Sequence, residues 1–244
     1  PSKRSPVLYV HDGQNMMADH ESWSGRSWGL DQALKRLIAQ GSIESPIVVL
    51  IDNVAEEFGP FGLVRRRHLE YGDTPFGDSY LQFICEELKP HVDKQFRTLT
   101  GPQHTASMGS SMAGLCSFLA MWKRPNVFGN CACLSPVFQA PLILDVAVNG
   151  RQIVERNVRL YIDNGGDTED VQVPLFDPAD GANPGYWWLD TQLQPGVDAM
   201  HASLKLHGAD VLYKVFPGGR HNERAWGQRV ELPLRHLLGK PEAR

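Results

Sequence analysis

Three observations predict an α/β fold with a mostly parallel central sheet flanked by helices. Short apolar runs alternate with amphipathic segments along most of the chain. The runs are often β-branched and bounded by turn residues, as buried strands are. No internal repeat or low-complexity tract interrupts the alternation, and strand–helix alternation of this kind favours parallel strands covered on both faces. With 244 residues, 42% of them hydrophobic, the chain is expected to form one domain spanning 1–244, a size that α/β folds often reach undivided.

The expected strands are Pro6–Val10, Ile47–Asp52, Thr105–Met108, Cys131–Leu134, Val158–Ile162 and Val211–Phe216. Between them, Leu30, Ala33, Leu34, Leu37 and Ile38 recur at helical spacing, with Gly41 as a stop. A second helix begins around Tyr80, Phe83 and Ile84, and Pro90 should kink or divide it. Met112–Lys123, Val197–His207 and Ala225–Leu238 complete the set, the last bent at Pro233. Residues 171–195 break the pattern with Pro174, Pro178, Pro184 and Pro195 and the cluster Tyr186-Trp187-Trp188. So much aromatic surface argues for an ordered insertion, read as a lid or pocket wall; the alternative is an insertion packed on the outside.

Composition narrows the function classes. A net charge of −4 gives no footprint for nucleic acid or a membrane surface, and no apolar run approaches the ~18 residues of a membrane span. Cys85, Cys116, Cys131 and Cys133 include no CxxC pair and no zinc spacing, so they read as small buried hydrophobes, with one disulfide as the alternative. Neither a cofactor nor a metal is expected. No signal peptide is visible, which leaves cytoplasmic and exported locations both open.

In such sheets ligands bind beyond the carboxyl ends of the strands. After Thr105–Met108 comes Gly109-Ser110-Ser111-Met112-Ala113-Gly114, close to the G-x-S-x-G turn that exposes a nucleophilic serine between strand and helix. Ser111 is the expected nucleophile. Small neighbours two residues away let the strand and helix approach, and Ala113 stands where a second glycine is usual. The turn also puts Ser111 at a helix N-terminus, where the Met112 N–H suits developing negative charge. The plainer alternative is a serine-rich helix cap.

A serine hydroxyl needs a base. His221 follows the last apolar run across Pro217-Gly218-Gly219-Arg220 and precedes a helix, so it can lean over the serine. The acid should lie between the two in chain order. Val158–Ile162 leads into Asp163, Asp167, Glu169 and Asp170, of which Glu169 is favoured and Asp167 comes next.

Further motifs carry a family resemblance. Val7-Leu8-Tyr9-Val10-His11-Asp12-Gly13-Gln14-Asn15 is followed in order by the Trp28 region, Ile47–Asn53, Arg67 with Glu70-Tyr71, Glu86-Glu87-Leu88-Lys89-Pro90, Gly109-Ser110-Ser111-Met112 and Leu134-Ser135-Pro136. Gly219, His221-Asn222-Glu223 and Trp226 close the series. The sequence resembles the putative-esterase family, which includes enterochelin esterases, feruloyl esterases, S-formylglutathione hydrolase and the mycolyltransferases. It is nearest to the enterochelin-esterase-like members. The resemblance implies an α/β-hydrolase fold and a triad of Ser111, an acid and His221, and it matches Glu169 to the acid. It also implies an oxyanion hole from the Gln14 and Met112 N–H groups, with His11 and Asp12 shaping the loop. Two departures are Ala113 and a start close to the His11 strand, which suggests a trimmed chain or a sheet lacking an edge.

The expected reaction is hydrolysis of a small-molecule carboxylic ester through an acyl-enzyme. Trp23, Tyr186, Trp187 and Trp188 would offer flat apolar surface to an acyl or aromatic group. Arg67, within Arg65-Arg66-Arg67, would attract an anionic substrate, or the run would pair with Glu70 and nearby carboxylates. The alternatives are an acyltransferase using the same triad and a non-catalytic binding protein on this fold.

Overall fold

In the computed structural model, residues 3–58 and 64–239 are described; the expected domain limits at 1 and 244 lie outside them. The central sheet holds β1 (Val7–His11), β2 (Ile47–Ile51), β5 (Thr105–Ser110), β6 (Asn130–Leu134), β7 (Arg159–Gly166) and β10 (Val211–Pro217). Its order is β10-β7-β6-β5-β1-β2, and every pairing is parallel. Two short antiparallel hairpins stand apart, β3 (Glu57–Phe58) with β4 (Val64–Arg65) and β8 (Phe176–Asp177) with β9 (Gly181–Ala182).

Helices cover both faces. Alternate residues of each inner strand feed opposite cores: Val7, Tyr9, Cys131, Cys133, Leu160 and Ile162 pack on one side, and Leu8, Val10, Ala132, Leu134 and Tyr161 on the other. The first core is closed by α3 (Pro75–Phe83), α5 (Met112–Lys123), α6 (Ala140–Asn149) and α9 (Gln194–Leu206), and the second by α1 (Leu30–Ala39) and α11 (Glu231–Leu238). This two-sided burial makes the strands read as apolar runs rather than as clean alternation. All four cysteines are free; Cys85 is half-buried and the others are buried.

The structure corrects several expected boundaries. Strand β7 runs to Gly166, past the expected end at Ile162, because its pairing with β10 continues through Asp163↔Lys214 to Gly166↔Pro217. Asp163 is therefore a buried strand residue and not part of an exposed loop. Pro90 divides nothing sharply. It falls in the first turn of α4 (Lys89–Gln95), where its missing N–H costs little, and a wider π-type turn at Ile84–Leu88 joins α4 to α3. The expected bend at Pro233 lies upstream instead. Helix α10 (Glu223–Arg229) ends before Val230 and α11 starts at Glu231. Pro233 cannot donate to the Arg229 carbonyl, so the chain breaks one turn earlier and Pro233 sits in the first turn of α11.

Helix α9 begins at Gln194 rather than Val197, with Pro195 in its first turn. The proline-rich insertion is partly regular. It contains the β8–β9 hairpin and α8 (Pro184–Gln192), capped by the Asn183 side chain, which accepts from Tyr186 N.

The sheet order reverses between β1 and β5, so their carboxyl ends open the crevice where α/β sheets bind ligands. A buried ion pair braces this end. Arg229 donates to both oxygens of Asp163, from Nε at 3.1 Å and Nη2 at 3.0 Å. Tyr161 Oη and Ser135 N donate to the same carboxylate at 2.7 and 3.1 Å.

Breaking such a pair leaves an uncompensated buried charge. Arg229→Ala should lower the unfolding free energy by about 3–5 kcal/mol, measured by urea denaturation; a loss under about 1 kcal/mol would place the brace elsewhere.

Candidate active site

The crevice is a cleft of about 250 Å³ lined by Gln14, Trp23, Arg67, Ser111, Tyr186 and His221 among others. Ser111 follows β5 with φ 58° and ψ −124°, a left-handed backbone that a non-glycine residue holds only where its surroundings enforce it. The enforcement is visible: Ser111 N donates to the Leu134 carbonyl at 2.9 Å. A β-carbon on Gly109 would stand 2.6 Å from that of Ala113. Glycine at 109 thus provides the space that Ala113 uses, which explains the missing second glycine. Met112 opens α5, so its N–H lies in the first helical turn, whose N–H groups have no intrahelical acceptor.

His221 Nε2 lies 2.9 Å from Ser111 Oγ. The imidazole is held by aromatic contacts: Tyr186 stacks on it at 5.9 Å between ring centroids, and Trp226 meets it edge-on at 4.9 Å. Trp226 Nε1 donates to Ser135 Oγ, which also accepts from Arg229 Nη2, so the histidine's wall rests on the buried ion pair. Asn222 caps α10 by accepting from Ala225 N. Burial, and then the charges of Arg229 and Arg67, lower the His221 pKa to about 3, so the imidazole is neutral and able to accept a proton.

The opening turn is shaped by Asp12, at φ 56°. Its carboxylate accepts from Arg67 Nε and Nη2 and from Asn53 Nδ2. Gln14 follows in a 3-10 turn, and its Oε1 accepts from Asn53 N. His11 is fully buried between Tyr80 Oη at 2.9 Å and Ser107 Oγ at 3.0 Å, and burial lowers its pKa to about 4.

The remaining expected residues divide. Trp23 and Tyr186 pack at 5.6 Å on the cleft wall. Trp187 Nε1 donates to the Val173 carbonyl, and Trp188 is 58% exposed; neither is among the described residues lining the cleft. Arg67 reaches the cleft but is paired bidentately with Asp12, while Arg66 pairs with Glu56 and Glu70. Glu169 and Asp170 are exposed, and Asp167 Oδ1 accepts from Val173 N. Among the described residues, no hydrogen bond joins Glu169 or Asp167 to His221.

Two buried carboxylates beside the histidine escaped sequence reasoning as site residues. Glu223 Oε1 accepts from Trp23 Nε1 at 2.8 Å, and burial raises its pKa. Asp190, in α8, accepts from His221 N at 2.5 Å. Glu223 was visible only as a neighbour of His221, and Asp190 carries no local signal.

A parallel sheet that carries a strained serine turn at its switch point, met by a histidine loop from its last strand, is the architecture of an α/β hydrolase. The chain belongs to the family described as "Putative esterase", whose model matches residues 1–236. It is 31% identical over 135 residues to an endo-1,4-beta-xylanase/feruloyl esterase from Xylanibacter ruminicola, covering 54% of this chain and 17% of that one. It is 23% identical over 134 residues to protein YbbA of Bacillus subtilis, covering 53% and 49%. The chain thus spans less than half the length of these curated relatives.

Solved structures share the fold at low identity. The enterobactin esterase of Shigella flexneri superposes with a TM-score of 0.68 at 16% identity, over 97% of this chain and 53% of that one. The siderophore hydrolase EstA of Aspergillus nidulans gives 0.67 at 16%, over 96% and 81%. A ferulic acid esterase from Anaeromyces mucronatus gives 0.61 at 17%, over 96% and 79%.

His11 generates a pH prediction. Its folded pKa is depressed from 6.5 to about 4, so unfolding takes up a proton between those values. The stability that His11 contributes is present above pH 6.5 and is lost as pH falls toward 4. In His11→Gln the unfolding free energy should therefore fall less steeply over this range, by about 1.4 kcal/mol per pH unit; equal slopes in chemical denaturation would reject a neutral buried His11.

Proposed function

We propose that this chain hydrolyses a carboxylic ester by acyl transfer to Ser111 and then to water. The observation that carries the reading is the 2.9 Å contact between Ser111 Oγ and a buried neutral His221 Nε2, made at a strained turn between β5 and α5. His221 takes the proton as Oγ attacks the ester carbonyl, and returns it to the leaving alcohol. The same nitrogen then draws a proton from the attacking water and returns it to Ser111 Oγ as the acid leaves.

The Gln14 and Met112 N–H groups are the proposed oxyanion donors. Met112 supplies the positive end of α5 and Gln14 the turn after β1, both at the sheet's switch point. One such donor contributes about 3 kcal/mol to the transition state.

The cleft suits an aromatic acyl or alcohol group. Trp23, Tyr186 and Trp226 present ring faces and edges around His221, and Arg65 and Arg67 also line the cleft. Esters of hydroxylated aromatic acids combine a flat ring with polar substituents, and the names of the feruloyl and siderophore esterases above agree with that class. Trp23 and Tyr186 are proposed to hold the ring. Arg67 acts through Asp12, by fixing the turn that carries Gln14.

Ser111→Ala should reduce ester turnover by roughly 10⁴–10⁶-fold and abolish labelling by a fluorophosphonate while the variant stays folded. The assay uses nitrophenyl acetate, a feruloyl ester and a catecholate siderophore lactone. Full activity in the variant would reject Ser111 as nucleophile. A wild type that neither turned over an ester nor took the label would reject the reading.

A further inference from the structure

Resting on the reading of His221 as the base of Ser111, we infer that Asp190 is the carboxylate that orients and charges His221, so that the proline-rich insertion supplies the third member of the catalytic group. It is a positioning residue: it acts through the histidine and touches no substrate atom.

The geometry rests on how α8 is docked. The Asp190 carbonyl accepts from Asp167 N at 3.2 Å, at the end of β7. Gly166, at φ 108°, lies against that carbonyl so closely that a β-carbon would collide with it. Gly166 O in turn accepts from Gly218 N at 2.9 Å, in the loop that leads to His221. The insertion thus folds back onto the carboxyl end of β7 and sets its carboxylate beside the histidine loop. Glu169 and Asp167, which follow β7 directly, point elsewhere: one is exposed and the other is engaged with Val173 N.

The carboxylate itself is buried, with Asp190 only 3% exposed. One oxygen accepts from His221 N at 2.5 Å, and the other is buried with no hydrogen-bond partner among the described residues, although Arg220 Nε lies 3.2 Å away as an ion-pair partner. An unmade bond on a buried carboxylate oxygen is costly. Nδ1 is the ring nitrogen nearer to the histidine's own main-chain nitrogen, where Asp190 is already bound. When His221 takes the Ser111 proton on Nε2, the Nδ1–H can donate to that oxygen. The proton stays on the imidazolium, and the carboxylate stabilises it.

Burial raises the Asp190 pKa to about 6 and lowers that of His221 to about 3. Arg220, Asp167 and Asp180 act on Asp190, and Arg229 and Arg67 on His221. Above about pH 6 an ionised Asp190 therefore lies beside a neutral imidazole.

The test compares Asp190→Asn with Glu169→Gln. Asp190→Asn should lower kcat by roughly 10³–10⁴-fold with KM changed less than about threefold, and Glu169→Gln should cost far less. Independently of turnover, NMR titration should show a lower His221 pKa in Asp190→Asn than in wild type, because a stabilising negative charge has been removed. Asp190→Ser, which keeps an acceptor for the His221 amide without the charge, makes the same comparison should the asparagine variant not fold. An unchanged His221 pKa, or a kcat loss confined to Glu169→Gln, would overturn the assignment. Wild-type protein inert to every ester and to fluorophosphonate would sink the hydrolase reading, while the titration would still decide whether Asp190 charges His221.

Discussion

The Asp163 carboxylate and the Arg229 guanidinium meet in the interior, where either charge left without its partner is costly. Their bidentate contact joins β7 to the helix that follows His221, and Ser135 connects both to the end of β6. Trp226 hangs from the same Ser135 hydroxyl and forms the edge against which the imidazole rests. A loop histidine must hold its ring to within a fraction of an ångström to act on a serine. Here a buried ion pair provides that rigidity. Its net stabilisation against an apolar replacement is small in general, and its contribution is geometric.

On the other side of the cleft the constraint is steric. Ser111 is held at a positive φ by its bond to the Leu134 carbonyl and by the close approach of β5 to α5, which Gly109 permits. That strain points the hydroxyl out of the sheet and the first amides of α5 toward the same space. The turn after β1 arrives from the neighbouring strand, because the sheet order reverses between β1 and β5. Ser111, His221 and the Gln14 turn therefore come from three separate connections and meet at one cleft only through the topology.

The fold was legible because its cause is local and repeated. Buried parallel strands must be apolar on both faces, and β1, β5 and β6 are buried throughout. Ser111 and His221 were legible for a related reason: a strained strand-to-helix turn demands small residues at fixed offsets, and a loop between the last strand and a capped helix is short enough to recognise. The boundaries of β7 and α10 were misjudged because hydrogen bonding to β10 and a prolyl ring's clash one turn upstream decide them, and neither shows in hydrophobic periodicity.

The carboxylates beside His221 mark the division most sharply. The sequence by itself determined the sheet, the serine turn, the histidine loop and the presence of several acids between them, since each follows from spacing along the chain. Which acids are buried, and beside which groups, was decided by tertiary structure alone. Asp163 is drawn into a strand by its register with β10 and neutralised by Arg229, Glu169 is left exposed, and Asp190 is carried to the His221 amide by a helix docked on Gly166. The fate of a charge depends on what surrounds it in space, and residues close in space here lie far apart along the chain.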